Sequence, residues 1–506
     1  MNVLCVIFVL SSLPHTQRGT CGHNFKTIAP DGGPDRLAGV PPGHPSGVFF
    51  TMIDYNEFVK SKRHTLGEFG FEPDYFPDIA FDFQKAIIEK AVKKGRIAIF
   101  ADTGLGKTLM LLSIAHNVVR KTNGRVLILT PLAVAFQFIK EAEKLGIPDV
   151  EYSKDGKYTG RIIICNYERL HYFNPSDFQG VLLDESSILK NFEGKIKSQV
   201  TAFIKKIPYR FLSTATPSPN DFVELGTSSE ALGYMGYMEM LTKFFGNNEN
   251  NIRPQEIATK WYLKPHAETS FFEWVAGWSI VVRKPSDIGF KDDRYVLPDL
   301  RVNDVIVRNT KNWVIDNQIM LFNGIAHTMT EVKQEQKNTT KERCEKAVEL
   351  ASNARTSVYW CNFNEEGDLL ASLDNAAVQV KGGMSIEQKE EILIAFSDGE
   401  IQRLITKPKI TAFGLNWQHC NHTVYFPTWS YEQYYQAIRR FWRFGQKNTV
   451  TVDRIFSDGQ KRVLDAINLK TDNASRLFDI LIRTVNKQEF LQSDNFSQPV
   501  SLPKFI

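Results

Sequence analysis

Short apolar runs alternate with helical patterns along most of the chain. In the first half the runs cover residues 96–101, 125–130, 161–165, 180–183 and 210–213, and they are rich in β-branched side chains. The segments between them carry apolar residues at helical spacing. Because this alternation is typical of βα units, it predicts a parallel sheet with helices on both faces.

A second series of the same kind begins after residue 300. Its apolar runs cover residues 357–361, 377–380, 403–406, 422–426 and 450–455, with helical patterns at 385–396 and 431–442. The stretch between the two series is rich in aromatic residues, Met and Asn and has weak periodicity. We predict an α/β fold of two parallel-sheet domains with an inserted, mostly helical segment, divided into a leader at 1–51, domain 1 at 52–229, the insertion at 230–299, domain 2 at 300–480 and a tail at 481–506.

The composition is that of a folded multidomain protein. The chain has 506 residues, of which 42% are hydrophobic and 23% charged, and a net charge of +4. These values exclude collagen-like and disordered chains, and the length exceeds what one hydrophobic core supports. Six cysteines lie far apart without a C-x-x-C pair, which argues against a zinc ribbon or a disulfide framework and predicts buried thiols in a cytoplasmic protein.

The first 51 residues lack the features of a targeting signal. The apolar run from Val3 to Leu10 is too short to span a bilayer, and no Lys or Arg precedes Arg18. Gly and Pro interrupt residues 32–47 and prevent regular structure there. We expect an unstructured, dispensable leader and no membrane partner, and the sequence does not identify protein partners.

The strongest chemical signal follows the first apolar run. The letters ADTGLGKT at 101–108 stand between a predicted strand and a predicted helix, which is the context of a P-loop. In such a loop backbone N–H groups turn towards phosphate oxygens, Lys107 reaches the β and γ phosphates, and Thr108 offers its hydroxyl to Mg²⁺. Ala101 replaces the first glycine of the general pattern. The pattern predicts an ATP site that includes Thr103, Gly104, Leu105, Gly106, Lys107 and Thr108.

Two adjacent carboxylates end another predicted strand. Asp184 and Glu185 follow the apolar letters GVLL, and the carboxyl end of a strand in a parallel sheet lies beside the P-loop. We expect Asp184 to hold Mg²⁺ and Glu185 to orient and deprotonate the attacking water, because phosphoryl transfer needs an in-line nucleophile and neutralised charge.

Four motifs then occur in order. They read DESSILKN at 184–191, STATPSPND at 213–221, GLNWQ at 414–418 and QAIRRFWRFGQ at 436–446. They resemble motifs II, III, V and VI of superfamily 2 helicases, most closely the Swi/Snf-type translocase branch and its compact phage and prophage forms. The resemblance covers roughly residues 55–478. It implies two RecA-like domains that bind ATP between them, with DNA crossing the same cleft.

The resemblance also assigns roles to single residues. Gln84 resembles the family glutamine that contacts adenine, although an exposed glutamine at a helix start is the simpler alternative. The segments around Thr130 and Tyr167 resemble motifs Ia and Ib, and Asn416 lies in motif V. For these three residues the resemblance implies contacts with nucleic acid.

The last motif places three polar side chains on one helical face. Gln436, Arg440 and Arg443 are spaced i, i+4 and i+7. Because arginine is always charged and forks onto phosphate oxygens, the two arginines are predicted to complete the ATP site from domain 2 as catalytic arginine fingers, beside Gln436. Arg439 stands where the family pattern has an acid.

Basic residues are concentrated around the last two motifs. Between residues 403 and 447 there are seven Lys or Arg against one acidic residue, Glu432. This excess suits a groove that follows a phosphate backbone. The predicted function is a nucleic-acid-dependent ATPase that moves along DNA, with duplex DNA favoured. A strand-separating helicase on DNA or RNA and a nucleotide-gated scaffold with little turnover are the alternatives.

Overall fold

The protein is described by a computed structural model over most of the predicted body. The ranges are 67, 69–131, 134–190, 194–247, 261–292, 295–309, 314–315, 318–319, 329–410 and 416–485. The predicted leader, residues 486–506 of the predicted tail, and Gly414 and Leu415 of the GLNWQ motif lie outside these ranges.

The first half forms a wholly parallel sheet. The strands of this half are β1 (Arg96–Ala101), β2 (Arg125–Thr130), β3 (Val150–Tyr152), β4 (Ile162–Asn166), β5 (Phe178–Asp184), β6 (Tyr209–Thr214), β7 (Phe245–Asn247), β8 (Trp261–Leu263) and β9 (Ser279–Val282). Of these, β7 and β8 form a separate antiparallel pair. Within the described ranges seven strands make up the sheet, in the order β3-β4-β2-β5-β6-β1-β9. Ala98 and Phe100 of β1 enter one core, and Ile97 and Ile99 enter another on the opposite face. The sheet is therefore buried on both faces, as its continuous apolar runs require.

Helices cover both faces of this sheet. They are α1 (Asp82–Lys94), α2 (Lys107–Thr122), α3 (Ala135–Leu145), α4 (Lys195–Ile204), α5 (Leu225–Leu232), α6 (Tyr237–Phe244) and α7 (Glu268–Ala276). Short 3-10 segments occur at Tyr167–Tyr172, Pro175–Asp177, Ser186–Lys190, Phe222–Glu224, Pro265–Ala267 and Pro285–Ile288.

The second half repeats the plan with a second parallel sheet. Its strands, with a small antiparallel pair at β11 and β12, are β10 (Leu300–Val307), β11 (Val314–Ile315), β12 (Gln318–Ile319), β13 (Ser357–Trp360), β14 (Ala377–Gln379), β15 (Arg403–Thr406), β16 (His422–Tyr425) and β17 (Val450–Ser457). Six of the described strands form the sheet, in the order β10-β17-β16-β13-β15-β14. The predicted fold class of two parallel-sheet domains is confirmed.

Helices also surround the second sheet. They are α8 (Met329–Asn338), α9 (Thr340–Ser352), α10 (Asn364–Leu373), α11 (Ile386–Ser397), α12 (Tyr431–Ile438) and α13 (Lys461–Val485), with a 3-10 turn at Asp458–Gln460. The helical pattern predicted at 431–442 ends earlier, at Ile438, and continues as turns.

The last helix joins the two halves. Val463 and Ile467, near its start, pack into a core of the second sheet, whereas Leu477 and Leu481 pack into a core of the first sheet. Arg476 of α13 also donates to a carboxylate oxygen of Glu268 on α7 at 2.7 Å. One long amphipathic helix therefore contributes to both cores.

The predicted boundaries differ from the sheet in one region. The range 230–299 was predicted as an insertion, but its strand β9 pairs with β1 in parallel as the edge of the first sheet. Four apolar residues supply this strand, and the aromatic-rich sequence before it hides the βα rhythm. The first sheet therefore extends to Val282.

The prediction of buried thiols holds for the cysteines that the structure describes, namely Cys165, Cys344, Cys361 and Cys420. In the part of the chain with described coordinates, no helix combines the length and the hydropathy needed to cross a membrane.

Candidate active site

Three loops meet at one edge of the first sheet. The P-loop (residues 101–108) follows β1, Asp184 and Glu185 follow β5, and the TATPSP segment follows β6, which lies between β5 and β1. Because the carboxyl ends of parallel strands share one edge, these loops become neighbours.

The P-loop has the backbone geometry of a phosphate cradle. Gly104 and Gly106 adopt φ values of +87° and +84°, a left-handed conformation that disfavours other residues. The ammonium nitrogen Nζ of Lys107 donates to the main-chain oxygens of Ala101 and Asp102 at 3.1 and 3.3 Å. Burial lowers the pKa of Lys107, against the opposing influence of the nearby carboxylates. A half-buried cation that is held by carbonyl oxygens and lines an open cleft is prepared for an anionic ligand.

Gln84 lies beneath the P-loop. Its Nε2 donates to the main-chain oxygen of Leu105 at 2.9 Å, and its Oε1 accepts from the main-chain N–H of Phe81 at 3.0 Å. The side chain is buried, so the alternative of an exposed glutamine is wrong. Leu105 itself packs into the core and presents its carbonyl rather than its side chain to this contact. The contact of Gln84 with adenine remains a prediction.

Asp184 is held among buried polar groups. Its Oδ2 accepts from the Thr130 hydroxyl at 3.2 Å, and its main-chain oxygen accepts from the Tyr167 hydroxyl at 2.6 Å. Burial and the neighbouring Glu185 raise the pKa of Asp184 to about 7. A cation beside this carboxyl group would therefore favour its charged form.

The contacts predicted for Thr130 and Tyr167 need correction. Both residues are buried, with exposed fractions of 0% and 4%, and both spend their hydroxyl groups on Asp184. Thr130, at the end of β2, donates to the carboxylate of Asp184, and Tyr167, directly after β4, donates to its main-chain oxygen. Both hydroxyl groups therefore face into the protein and not towards a nucleic acid.

Glu185 occupies a strained backbone position. Its φ of +50° is left-handed, which is uncommon for a residue with a long side chain. Its Oε2 accepts from the Thr214 hydroxyl at 3.3 Å, which ties the carboxylate to the end of β6. Strain of this kind is concentrated at functional sites, where the surrounding structure maintains it.

The second half of the chain completes the site. A cleft of about 640 Å³ lies between the P-loop and α12. The structure brings together in its walls the predicted residues Thr103, Gly104, Gly106, Lys107, Thr108, Asp184, Glu185, Asn416, Gln436, Arg440 and Arg443. Asn416, predicted to contact nucleic acid, therefore faces the same cleft as the P-loop.

The two predicted arginine fingers remain charged although burial lowers the pKa of each. Burial lowers the pKa of Arg440 to about 10, with Glu185 opposing the change. Burial, Arg440 and Arg439 lower the pKa of Arg443 to about 10. Both remain cationic at neutral pH. The Nε of Arg443 is buried without a hydrogen-bond partner in the described part of the chain, which leaves a donor for a ligand.

Other residues at or beside the cleft were not predicted to act. Glu432 of α12 accepts from the Ser187 hydroxyl at 2.7 Å and pairs with Lys190, both in the segment after Glu185. Asp102 of the P-loop pairs with Arg439 and Tyr435. The departure of Arg439 from the family pattern was the available signal, but its partner was not evident from spacing.

The donor set fits ATP with a divalent cation. Lys107 and the unpartnered Arg443 Nε supply positive donors for phosphate oxygens. The Thr108 hydroxyl and the Asp184 carboxylate line the same cleft and are hard oxygen ligands, which Mg²⁺ prefers together with phosphate oxygens.

Two family models match the chain. Residues 81–225 match the DEAD/DEAH box helicase model, and residues 339–445 match the helicase conserved C-terminal domain. A solved structure, the Sulfolobus solfataricus SWI2/SNF2 ATPase core in complex with dsDNA, is 18% identical with a TM-score of 0.39, and the match covers 82% of this chain and 98% of that chain. No curated protein matches the chain.

Proposed function

We propose that this ATP-hydrolysing, helicase-like enzyme couples hydrolysis to movement along duplex DNA without separating the strands. This is the behaviour of the Swi/Snf-type branch that the motifs resemble. The observation that carries the proposal is the cleft in which P-loop residues and Arg440 and Arg443 of the other domain face each other. A site divided in this way links each hydrolysis cycle to the relative position of two domains.

The first domain binds and orients the nucleotide. Backbone N–H groups of the P-loop and the Lys107 ammonium hold the phosphates. Thr108 and Asp184 hold Mg²⁺, which when bound neutralises charge on the phosphate oxygens.

Glu185 acts on the attacking water. Its carboxylate is held by the Thr214 hydroxyl, and its left-handed backbone turns it away from the strand direction. As a general base it accepts the proton of the water. Thr214 begins the TATPSP segment, so this contact connects the base to the loop after β6.

The second domain supplies the remaining charge. Arg440 and Arg443, in the turns after α12, stabilise negative charge that develops on the transferred phosphoryl group, and Gln436 offers an amide from α12 itself. The arginines reach the site only while α12 lies against the first domain, so opening of the cleft stops catalysis.

Two features support DNA as the track. The motifs resemble the translocase branch more than the unwinding branches. The basic excess between residues 403 and 447 suits contact with a phosphate backbone of any sequence. We include Asn416 among the DNA contacts, because it is exposed and lies in the motif V segment that the resemblance assigns to nucleic acid.

The test measures the ATPase rate with no nucleic acid, single-stranded DNA, duplex DNA and duplex RNA, and uses Lys107→Ala to exclude a contaminating ATPase. We expect duplex DNA to stimulate hydrolysis most, with a strong decrease at high salt. A third strand bound in the major groove should be displaced in an ATP-dependent manner, while a tailed duplex stays annealed. Unwinding of the tailed duplex, or stimulation by RNA alone, would replace this proposal with the helicase. Negligible turnover would favour the scaffold.

A further inference from the structure

One face of α12 is attached to the first domain by polar contacts. Glu432, Tyr435 and Arg439 are spaced i, i+3 and i+7 and therefore lie on the same side of the helix and its last turn. Glu432 contacts Ser187 and Lys190, and the other two contact Asp102. Gln436 of α12, with Arg440 and Arg443 in the turns after it, lines the cleft with the P-loop.

Asp102 is the centre of the second contact. It directly follows β1 and is the second residue of the P-loop. Its Oδ1 accepts from the main-chain N–H of Thr103 at 2.6 Å and from the Tyr435 hydroxyl, and its Oδ2 accepts from the Arg439 guanidinium. One carboxylate thus shapes the P-loop turn and binds two side chains of the other domain.

Arg439 is fixed in a matching orientation. Its guanidinium lies 5.2 Å from the centre of the Tyr435 ring and 4.3 Å from that of Trp442. Trp442 is itself anchored, because its Nε1 donates to the main-chain oxygen of Pro298 at 2.6 Å. The side chains of Arg439 and Asp102 are only 10% and 7% exposed. A buried pair of this kind is costly to break by removing one partner.

The charges explain why the pair matters for the neighbouring arginines. Arg439, Arg440 and Arg443 lie close enough for the first two to lower the pKa of the third. Burial opposes the charge of Arg439, but Asp102 and Tyr435 outweigh it and raise the pKa of Arg439. Asp102 therefore offsets the charge of one of the three arginines, Arg439.

We propose that Asp102 and Arg439 are a positioning pair that docks α12 on the P-loop, so that Arg440 and Arg443 reach the phosphates. This inference rests on the proposed ATPase function of the cleft. Tyr435 is the second tie to the same carboxylate. Arg439 stands where the family pattern has an acid, and its carboxylate partner, Asp102, belongs to the P-loop.

The first test separates positioning from binding. Arg439→Gln should lower the kcat of nucleic-acid-stimulated hydrolysis by about ten- to a hundredfold, because the docked arrangement becomes rare. The Kd of a fluorescent ATP analogue should change by less than about threefold, because Lys107 remains in place. Arg439→Lys should recover part of the rate, and Tyr435→Phe should cause a smaller loss.

The matched control is Arg476→Gln. It removes another arginine–carboxylate contact between the two halves, with Glu268, away from the cleft. We expect its kcat to equal that of the wild type. An equal loss of kcat in this control would show that any contact between the halves has the same effect, and would overturn the specific role of Arg439.

A second test asks whether the two residues act as a unit. Asp102→Asn combined with Arg439→Gln should be no slower than the worse single variant, because each removes the same interaction. If the losses of kcat in the two single variants multiplied in the double variant, the two residues would act independently, and the proposed pair would be overturned. Loss of analogue binding in Arg439→Gln would instead assign Arg439 a structural role in the P-loop, and would also overturn it.

A measurement without nucleotide distinguishes this inference from the proposed function. Hydrogen exchange of peptides from the P-loop and from α12 should become faster in Arg439→Gln and stay unchanged in Arg476→Gln. If the wild type showed no ATPase activity but this pattern appeared, the proposed function would fail and the docking pair would stand. If the wild type hydrolysed ATP but Arg439→Gln changed neither exchange nor kcat, the docking pair would fail alone.

Discussion

The carboxyl group of Asp184 is surrounded by groups that influence its ionisation in opposite directions. Burial and the adjacent Glu185 favour the protonated form, whereas Lys107 and the Thr130 hydroxyl favour the carboxylate. The first two prevail, and its pKa rises to about 7. The folded chain therefore keeps a proton on Asp184 at pH values where the unfolded chain has already lost it.

Asp184→Asn should change the pH dependence of stability. Between about pH 4 and pH 7 the folded state binds more protons than the unfolded state, so the free energy of unfolding of the wild type falls as pH rises. A difference of one in pKa corresponds to about 1.4 kcal/mol. The excess in Tm of the variant over the wild type, without nucleotide, should therefore be larger at pH 8 than at pH 5.

Other groups whose pKa is raised on folding also make stability fall as pH rises, and comparing Asp184→Asn with the wild type removes their contribution. Burial raises the pKa of Glu224 to about 7, and it titrates in both proteins. A Tm difference that stays constant between pH 5 and pH 8 would show that Asp184 ionises normally in the folded state.

Single residues were predicted from sequence where a motif fixes them on a strand end or in a loop. Most of the predicted P-loop residues line one cleft with Asp184 and Glu185, whereas Leu105 packs into the core. Their roles towards ATP stay predictions. Thr130 and Tyr167 show the limit of this reasoning, because a motif places a residue in sequence but not on a surface. Which side of a strand end faces solvent depends on the neighbouring strands, and these come from distant segments.

Gly106 shows how closely the P-loop and α1 approach each other. A Cβ atom at this position would lie 2.2 Å from the Nε2 of Gln84, in addition to the strain of its left-handed φ. Gly146, after α3, has a similar φ of +64°, but nothing lies within 4 Å of its added Cβ atom. The two glycines thus separate backbone strain from steric contact.

Gly106→Ala should destabilise the protein and weaken nucleotide binding more than Gly146→Ala. Both variants bear the left-handed cost of roughly 1–2 kcal/mol, but only the first displaces Gln84 from Leu105. Thermal unfolding and titration with a fluorescent ATP analogue measure the two effects. Equal losses of Tm and equal Kd values in the two variants would contradict the role of close packing.

Ten of the thirteen described strands in the two sheets were predicted to within about three residues, because apolar runs buried on both faces give a strong signal. The edge strands β3 and β10 were not predicted. Strand β9 was missed, since its four residues are short for a signal of this kind and follow an aromatic-rich segment. The end of α12 at Ile438 was also missed. The turns that follow it are held by contacts of Arg439 with Asp102 and of Trp442 with Pro298, which join distant parts of the chain.

The C-terminal helix makes the two halves depend on each other. Leu481 is completely buried in a core of the first sheet, although α13 begins on the second sheet. Leu469 of the same helix is 50% exposed. The sequence shows the amphipathic pattern of this helix but not which sheet receives each half of its apolar face.

Leu481→Ala should lower the free energy of unfolding by about 2–5 kcal/mol, the usual cost of removing a buried leucine side chain. Leu469→Ala should change it by less than about 0.5 kcal/mol. The midpoint of urea unfolding, followed by circular dichroism, measures the difference. Equal midpoints for the two variants would mean that the end of α13 adds nothing to the first core.

The edge strand β9 has a mechanical consequence. It is the last strand of the first sheet before the chain continues to β10, and it pairs in parallel with β1. Main-chain hydrogen bonds from Ala98 to Trp278 and from Asp102 to Val282 close the two ends of this ladder. A pull on the carboxyl end of β9 along its axis loads the ladder in shear, so its bonds resist together instead of opening one by one. Tension from the second half of the chain therefore reaches the strand that ends in the P-loop.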